Sequence, residues 1–310
     1  TAVSPLKTMP VGAEVLVEDC RGKFLGMATI NPGSLICGRI YSLEQDQLMD
    51  NRLMVNRLTQ ALQLRTTCFS SPYYRAIFGD TDLLPGLVVD RFGDYLSAQL
   101  TTAAMDQRRD QVIAALDEVF SPKGIVFRNQ GAFRQMEGLP ENVEVAAGDV
   151  PELVALEENN TRFLAPVMTG QKTGWFYDHR INRQQLQQLA KDKTVLDVYS
   201  YVGGWGVQAA AAGAKSVTCV DVSGDALDLA RQNAELNNGG RRNDSQFSCL
   251  QGKANDVMKA LIDAGQTFDL VVLDPPAFIK RKKDQRQGEK AYHQANQLAL
   301  RLLSPGGVLV

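Results

Sequence analysis

The chain has 310 residues, 44% of them hydrophobic and 22% charged, with a formal net charge of −2. That is the profile of an ordinary soluble globular protein, long enough for two or three domains. No run of about 18 apolar residues and no basic-then-apolar leader is visible, so a membrane span and a secretory signal are not expected, and the net charge alone gives no sign of nucleic acid.

Residues 11–19, 26–30 and 35–40 read as short strands separated by Gly-containing turns, Asn31-Pro32-Gly33-Ser34 being the strongest. A helix over about 45–64, with Leu48, Leu53, Val55, Leu58, Ala61 and Leu62 on one face, is expected to close this small β-rich unit. From about 66 to 166 the pattern is α+β. It holds a hairpin over 86–100 turning at 92–94, a helix over 105–119, and strands at 124–128, 152–157 and 162–166 with Asn159-Asn160 in a turn.

From about Asp178 onward strand and helix alternate. Strands are expected at 194–199, 216–221, 246–251, 268–274 and 307–310, and helices at 181–191, 205–212, 223–237, 254–264 and 290–303. Such alternation implies right-handed crossovers and a doubly wound, Rossmann-like parallel sheet. The domain division that follows is 1–65, 66–170 and 171–310. A strand just begun at Val308, after the turn Ser304-Pro305-Gly306-Gly307, gives the expectation that the last domain continues beyond Val310.

Five cysteines (Cys20, Cys37, Cys68, Cys219, Cys249) and two histidines are scattered without metal-ligand spacing, so no metal site is expected and the thiols fit a reducing cytoplasm. The chemistry concentrates at three strand ends. Val195 to Gly206 runs from a strand through Asp197 into the turn Ser200-Tyr201-Val202-Gly203-Gly204-Trp205-Gly206 and on into a helix. Its glycines allow close backbone approach to a ligand, but their spacing is not G-x-G-x-x-G. An acid at Asp197 would repel a pyrophosphate and suits a cation, such as the amino group of a methionine moiety.

At the next strand end, Asp221 can accept both hydroxyls of a ribose. An acid favoured by a helix dipole is the plainer reading, although Ser223 already offers a cap. After the third strand, Asn255 or Asp256 could read an adenine edge, or be ordinary first-turn residues. After the fourth, Asp274-Pro275-Pro276-Ala277-Phe278 stops the apolar run 270–273 abruptly, since proline neither donates to a ladder nor enters a helix interior. The chain must leave the sheet as a rigid loop with Asp274 at its mouth. The cluster Lys280-Arg281-Lys282-Lys283 follows directly: a solvated loop, or a grip on a phosphate backbone.

Asp197 with its glycines, Asp221 and Asp274-Pro275-Pro276 together resemble a class I S-adenosylmethionine-dependent methyltransferase. Gln171 to Arg180, Asp197 to Gly206, Asp274 to Lys280, and Lys290-Ala291-Tyr292 with the segment 302–307 narrow the resemblance to the ribosomal RNA cytosine-5 methyltransferases, over nearly the whole chain. That resemblance implies an N-terminal PUA domain, a central α+β domain and a C-terminal methyltransferase domain, with S-adenosyl-L-methionine as cofactor and ribosomal RNA as partner. It leaves a homodimer open. It places Phe176, Asp178 and Arg180 over the cofactor and Asp197, Ser200, Tyr201, Gly203, Gly204 and Gly206 around its methionine part. Asp221 holds the ribose, and Asp274, Pro275 and Phe278 face the methyl and a flipped base.

The family usually has an acid where Lys253 stands, which puts adenine recognition by Asn255 and Asp256 in doubt, and the first PUA strand is not visible before Val3, so both ends read as incomplete. Methylation at carbon 5 needs a cysteine nucleophile, and no cysteine stands beside the proline loop. The resemblance puts it beyond Val310. The 310 residues are then expected to bind the cofactor weakly or not at all and to leave RNA unmethylated. The alternatives are an amino-group or guanine methyltransferase on RNA, against which Ala277 intervenes before the aromatic, and a non-catalytic RNA-binding protein retaining the fold. A nicotinamide dehydrogenase is disfavoured by the glycine spacing.

Overall fold

The computed structural model describes residues 6–237, 246–279 and 281–310. The chain forms two compact units: Thr1–Leu156 with Ala165–Tyr177, and Glu157–Leu164 with Asp178–Val310.

The first unit opens with an antiparallel sheet of β1 (Glu14–Glu18), β2 (Phe24–Ile30) and β3 (Gly38–Ser42), in that order. Helix α1 spans Asn51–Cys68, later than the periodicity predicts. Asp50 is its N-cap, accepting from the Leu53 amide at 2.8 Å, and this fixes the start. Its buried Leu53, Met54, Leu58 and Ala61 share one core with Tyr74, Ile77, Val89, Leu116 and Phe127 of the α+β region, as well as with Met27 and Tyr41, so it does more than close the β-rich unit.

A five-stranded sheet follows in the order β4-β5-β6-β7-β8: Tyr73–Phe78, Leu87–Phe92, Tyr95–Leu100, Gly124–Asn129 and Asn142–Gly148. The hairpin of β5 and β6 matches expectation. The pairing of β6 with β7 is parallel, and the crossover between them carries α2 (Ala103–Asp106) and α3 (Arg109–Phe120) where one helix is expected. β4, β8 and the short α4 (Ala132–Met136) have no counterpart in the sequence reading. A two-stranded sheet of β9 (Val154–Glu158) and β10 (Thr161–Ala165) turns at Asn159 and Asn160, both in the left-handed region that asparagine tolerates.

The second unit holds α5 (Arg180–Ala190), β11 (Thr194–Val198), α6 (Gly206–Ala211), β12 (Ser216–Asp221), α7 (Gly224–Leu236), β13 (Gln246–Gln251), α8 (Ala254–Asp263), β14 (Phe268–Leu273), α9 (Gln285–Arg301) and β15 (Leu303–Leu309). All neighbouring strands are parallel, in the order β13-β12-β11-β14-β15. Alternate side chains divide between two cores. Val195, Val217, Leu270 and Val272 face Leu186, Ala209 and Leu227; Leu196, Val198, Val220 and Val271 face Met258, Leu298 and Ala299.

Chain order reverses between β11 and β14, the point where an open α/β sheet leaves a crevice at its carboxyl ends. β15 differs from expectation. Leu303 already pairs with Phe268 and Val308 pairs with Leu270, so the expected turn at Ser304–Gly307 is a bulge within the strand. α9 begins five residues early and takes in Gly288.

Candidate cofactor site

The turn after β11 is shaped by backbone geometry that the glycines alone do not supply. Tyr199 and Tyr201 take φ of 67° and 50°, and Gly203 takes 82°. The amides of Tyr199 and Ser200 both donate to the Val220 carbonyl, at 2.9 and 3.1 Å. Tyr201 then turns its amide onto Asp221 Oδ2 at 2.9 Å. Left-handed tyrosines cost strain that the fold must offset, and such residues concentrate at binding sites. A Cβ on Gly203 would lie 2.8 Å from Val207 Cγ2, so glycine is required there. Gly204 is buried in the same turn.

Three carboxylates stand at the carboxyl ends of adjacent strands. Asp197 is fully buried, its Oδ2 accepting from the Gly206 amide at 2.8 Å and its Oδ1 without a partner. Burial pushes its pKa up to about 7, against the Gly206 hydrogen bond and helped by the charge of Asp274. Asp221 is pinned at both oxygens, by the amides of Tyr201 and of Ser223 at 2.9 Å each. Ser223 caps α7 through the Ala226 amide, as expected. A carboxylate oxygen has a second lone pair, so Asp221 keeps acceptor capacity for a diol. Asn255 is half-buried with its Oδ1 unpartnered, whereas Asp256 is exposed.

Asp274 heads the proline loop after β14. Trp205 Nε1 donates to its Oδ2 at 3.1 Å, and His179 Nε2 lies 3.5 Å from the same oxygen. Pro275 is half-buried, and Pro276 and Ala277 are exposed. The Phe278 ring sits 4.7 Å from the Tyr292 ring and 6.5 Å, edge-on, from Tyr199. The Phe278 amide donates to the Tyr292 hydroxyl at 3.1 Å. Gly288 lets α9 close on the loop, since a Cβ there would lie 3.1 Å from the Phe278 carbonyl carbon and oxygen. Lys280 lies outside the described residues. Arg281, Lys282 and Lys283 are exposed just before α9, with Arg281 Nε 3.3 Å from Asp284.

The segment 171–180 is divided. Phe176 belongs to the first unit, where Lys172 Nζ stands 4.7 Å over its ring. There Thr173 Oγ1 donates to Asp90, and the Tyr177 hydroxyl donates to the Arg91 carbonyl. Asp178 opens the second unit and is exposed, while the Arg180 guanidinium is turned to Glu158, 3.6 Å away.

The structure thus brings Asp197, Ser200, Tyr201, Gly203, Gly204, Gly206 and Asp221 together with Asp274. Sequence reasoning holds Tyr199, Trp205, His179 and Tyr292 only within motif segments and gives none of them a role of its own. An aromatic set between glycines is the signal that could have found Trp205.

Three buried acceptors in this unit, Asp197 Oδ1, Ser200 Oγ and Asn255 Oδ1, lack partners. Buried polar atoms are rarely left so, because each costs about 1–3 kcal/mol. They fit a ligand that brings donors: an ammonium and an amino-substituted base. Among the described residues no group of three His, Cys, Asp or Glu is placed to hold a metal, and no helix is long and apolar enough to cross a membrane.

A glycine turn, a ribose-type acid and an acid-Pro-Pro loop at the switch point of a parallel sheet define a class I S-adenosylmethionine-dependent methyltransferase. Comparison with known proteins agrees. Residues 129–310 match the S-adenosylmethionine-dependent methyltransferase family and residues 2–43 a PUA-like domain. The protein named ribosomal RNA large subunit methyltransferase I is 37% identical in Erwinia tasmaniensis, covering 96% of this chain and 76% of the relative. Its namesake in Vibrio cholerae is 36% identical over 98% of this chain and 77% of the relative. The chain belongs to this ribosomal RNA large subunit methyltransferase I family, and its cofactor is S-adenosyl-L-methionine.

Two solved structures share the fold at 24% identity, each covering 97% of this chain and 77% of its own. One, from Streptococcus mutans, is described as a candidate S-adenosylmethionine-dependent methyltransferase (TM-score 0.80). The other is a methyltransferase-like protein complexed with S-adenosylhomocysteine (TM-score 0.81).

Proposed function

We propose that this chain directs the methyl group of S-adenosylmethionine to carbon 5 of a cytosine in large-subunit ribosomal RNA, in the cytoplasm. The observation that carries the reading is the row of Asp197, Asp221 and Asp274 at the ends of β11, β12 and β14, bordered by acceptors without partners. The relatives' name supplies the substrate class. When bound, the cofactor supplies an electrophilic methyl group on a sulfonium.

In this reading Asp197 and the turn 200–206 receive the methionine end, Asp221 the ribose hydroxyls, and Asn255, with Asp256 at its rim, the adenine edge. Asp178 and Arg180, in the same unit, are assigned to the cover of the cofactor. The target base must leave its stack to be reached. Pro275 and Phe278 wall the place it enters, and Asp274 orients the base or accepts its proton. Lys280, Arg281, Lys282 and Lys283 meet the RNA backbone, aided by the PUA-like segment.

Carbon 5 of cytosine becomes nucleophilic once a thiolate adds to carbon 6; after methyl transfer, loss of the carbon-5 proton to a base expels the thiolate from carbon 6 and restores the 5,6 double bond. Cys219 does not suit that role, because the neighbouring Cys249 thiol and full burial push its pKa well up. Cys20, Cys37 and Cys68 belong to the first unit. The reading therefore assigns the role of nucleophile to none of Cys20, Cys37, Cys68 and Cys219.

Titration with S-adenosylhomocysteine tests the cofactor site. Labelled methyl transfer to large-subunit RNA, followed by nucleoside mass spectrometry, tests the rest. A methyl group recovered on an exocyclic amine or on guanine overturns carbon 5.

A further inference from the structure

The two contacts made by Asp274 fall on one oxygen. Trp205 Nε1 donates to Oδ2 at 3.1 Å and His179 Nε2 lies 3.5 Å from Oδ2, while Oδ1 accepts from no described residue. The side chain is about a third exposed, so Oδ1 is the oxygen left for a ligand. A carboxylate that accepts a hydrogen bond on one oxygen, with an imidazole nitrogen beside that same oxygen, is biased in its orientation, and its second oxygen is left to present lone pairs to a ligand.

The two neighbours of Oδ2 are themselves held. Trp205 is only 6% exposed, and its ring lies 5.6 Å from the His179 ring and 5.7 Å from the Arg183 guanidinium. Arg183 is buried and ion-paired with the buried Glu158, which also accepts from Gln208 Nε2 at 2.9 Å. Breaking a buried pair of this kind is costly because it strands a charge. A continuous relay therefore runs from Glu158 through Arg183 and Trp205 to Asp274. It joins the β9–β10 turn, α5, the glycine turn and the proline loop.

We propose that His179 and Trp205 are positioning residues for Asp274. They clamp Oδ2 so that Oδ1 is aimed at the place where the transferable methyl and the target base meet. This inference rests on the cofactor reading above only for the direction in which Oδ1 points; the clamp itself does not depend on it. Neither residue is polar surface decoration: Trp205 could be replaced by any large apolar group if packing were its only task, and His179 by any residue of similar size.

The test compares two cofactor analogues. Sinefungin carries an amine where the methylated sulfonium would be, and S-adenosylhomocysteine carries none. If Oδ1 is aimed there, sinefungin binds the chain tighter than S-adenosylhomocysteine, by on the order of tenfold for one charge-assisted hydrogen bond. Asp274→Asn should abolish the preference. Trp205→Phe and His179→Ala should each cut the ratio of the two affinities severalfold, whatever either does to S-adenosylhomocysteine binding itself. His179→Gln, whose amide can still donate, should restore it. A wild-type chain without the preference, or a preference untouched by His179→Ala and Trp205→Phe, overturns the proposal.

A second measurement reads the clamp without any cofactor. The chain has two tryptophans, and the indole N–H resonance missing from Trp205→Phe is that of Trp205. It should shift and lose protection from exchange in Asp274→Ala. An unmoved resonance overturns the clamp, whereas a moved resonance in a chain that binds no S-adenosylhomocysteine overturns the cofactor reading instead. Should Trp205→Phe fail to fold, the His179→Ala and His179→Gln pair carries the binding comparison, and the Trp205 resonance is the one that remains in Trp175→Phe.

Discussion

Gly206 and Cys219 compete for one volume: a Cβ placed on Gly206 would lie 2.7 Å from Cys219 Sγ and 3.1 Å from Asp197 Oδ2. Both neighbours are fully buried, so neither can swing aside. Gly206→Ala is therefore expected to destabilise the chain by about 1–3 kcal/mol, as overpacking does. It should also displace Asp197 and weaken S-adenosylhomocysteine binding. Adding Cys219→Ala removes the nearer clash and should recover part of both losses. Urea denaturation and calorimetric titration of the single and double variants check this; equal stability of wild type and Gly206→Ala would count against it.

Asp197 makes stability depend on pH with a definite sign. Its folded pKa is raised from 3.8 to about 7, with burial as the main cause. The folded state therefore holds a proton that the unfolded chain releases at lower pH. The contribution is fully present below the unfolded value and is lost as pH rises through about 7. Its size is on the order of 4 kcal/mol at most. Asp197→Asn keeps the shape without the charge and should flatten the pH dependence of the urea midpoint between about pH 5 and 8. A dependence as steep in the variant as in wild type would assign it to other groups. A cation delivered beside Asp197 should also expel its proton, so cofactor binding near pH 6 should release protons, read from calorimetry in buffers of different ionisation enthalpy.

The alternating part of the chain was legible because its physics is local. Apolar runs such as Leu270-Val271-Val272-Leu273 and the stop imposed by Pro275-Pro276 need no partner to be recognised, and they place Asp274 correctly. What stayed hidden depends on contacts distant in sequence. The first turns of α9 lie outside the expected helix, and the close approach of Gly288 to Phe278 shows only in the fold. The left-handed tyrosines 199 and 201 break the expectation that positive φ belongs to glycine, and only the bond from Tyr201 to Asp221 explains one of them. His179 and Trp205 stand 26 positions apart (205 − 179), and no spacing rule joins them to Asp274. The start of α1 was missed for a smaller reason: Asp50 outcompetes the upstream acids as cap.

Tyr292 fastens the proline loop in two ways, by ring contact with Phe278 at 4.7 Å and by accepting the Phe278 amide at 3.1 Å. Tyr292→Phe separates them, because it keeps the ring and deletes the acceptor. The expected cost is about 0.5–1.5 kcal/mol, with faster amide exchange at Phe278. Tyr292→Ala should cost more and should also expose Phe278 and Tyr199. Unchanged exchange at Phe278 in Tyr292→Phe would show that the hydrogen bond does not hold the loop.

Arg281, Lys282 and Lys283 are exposed, and the ion pair of Arg281 with Asp284 is also open to solvent, so it holds little energy and can be exchanged for a phosphate. Structural stability should then be almost indifferent to their removal, whereas RNA affinity should not. Each phosphate contact adds about 0.7–0.9 to the slope of log affinity against log salt. Replacing all three by alanine should lower that slope by about 2 and weaken binding to large-subunit RNA most at low salt. The same variant should bind S-adenosylhomocysteine as wild type does, which separates a lost RNA grip from a damaged cofactor site. An unaltered slope in filter-binding measurements would place the RNA on another face and leave these three side chains as ordinary solvated charge.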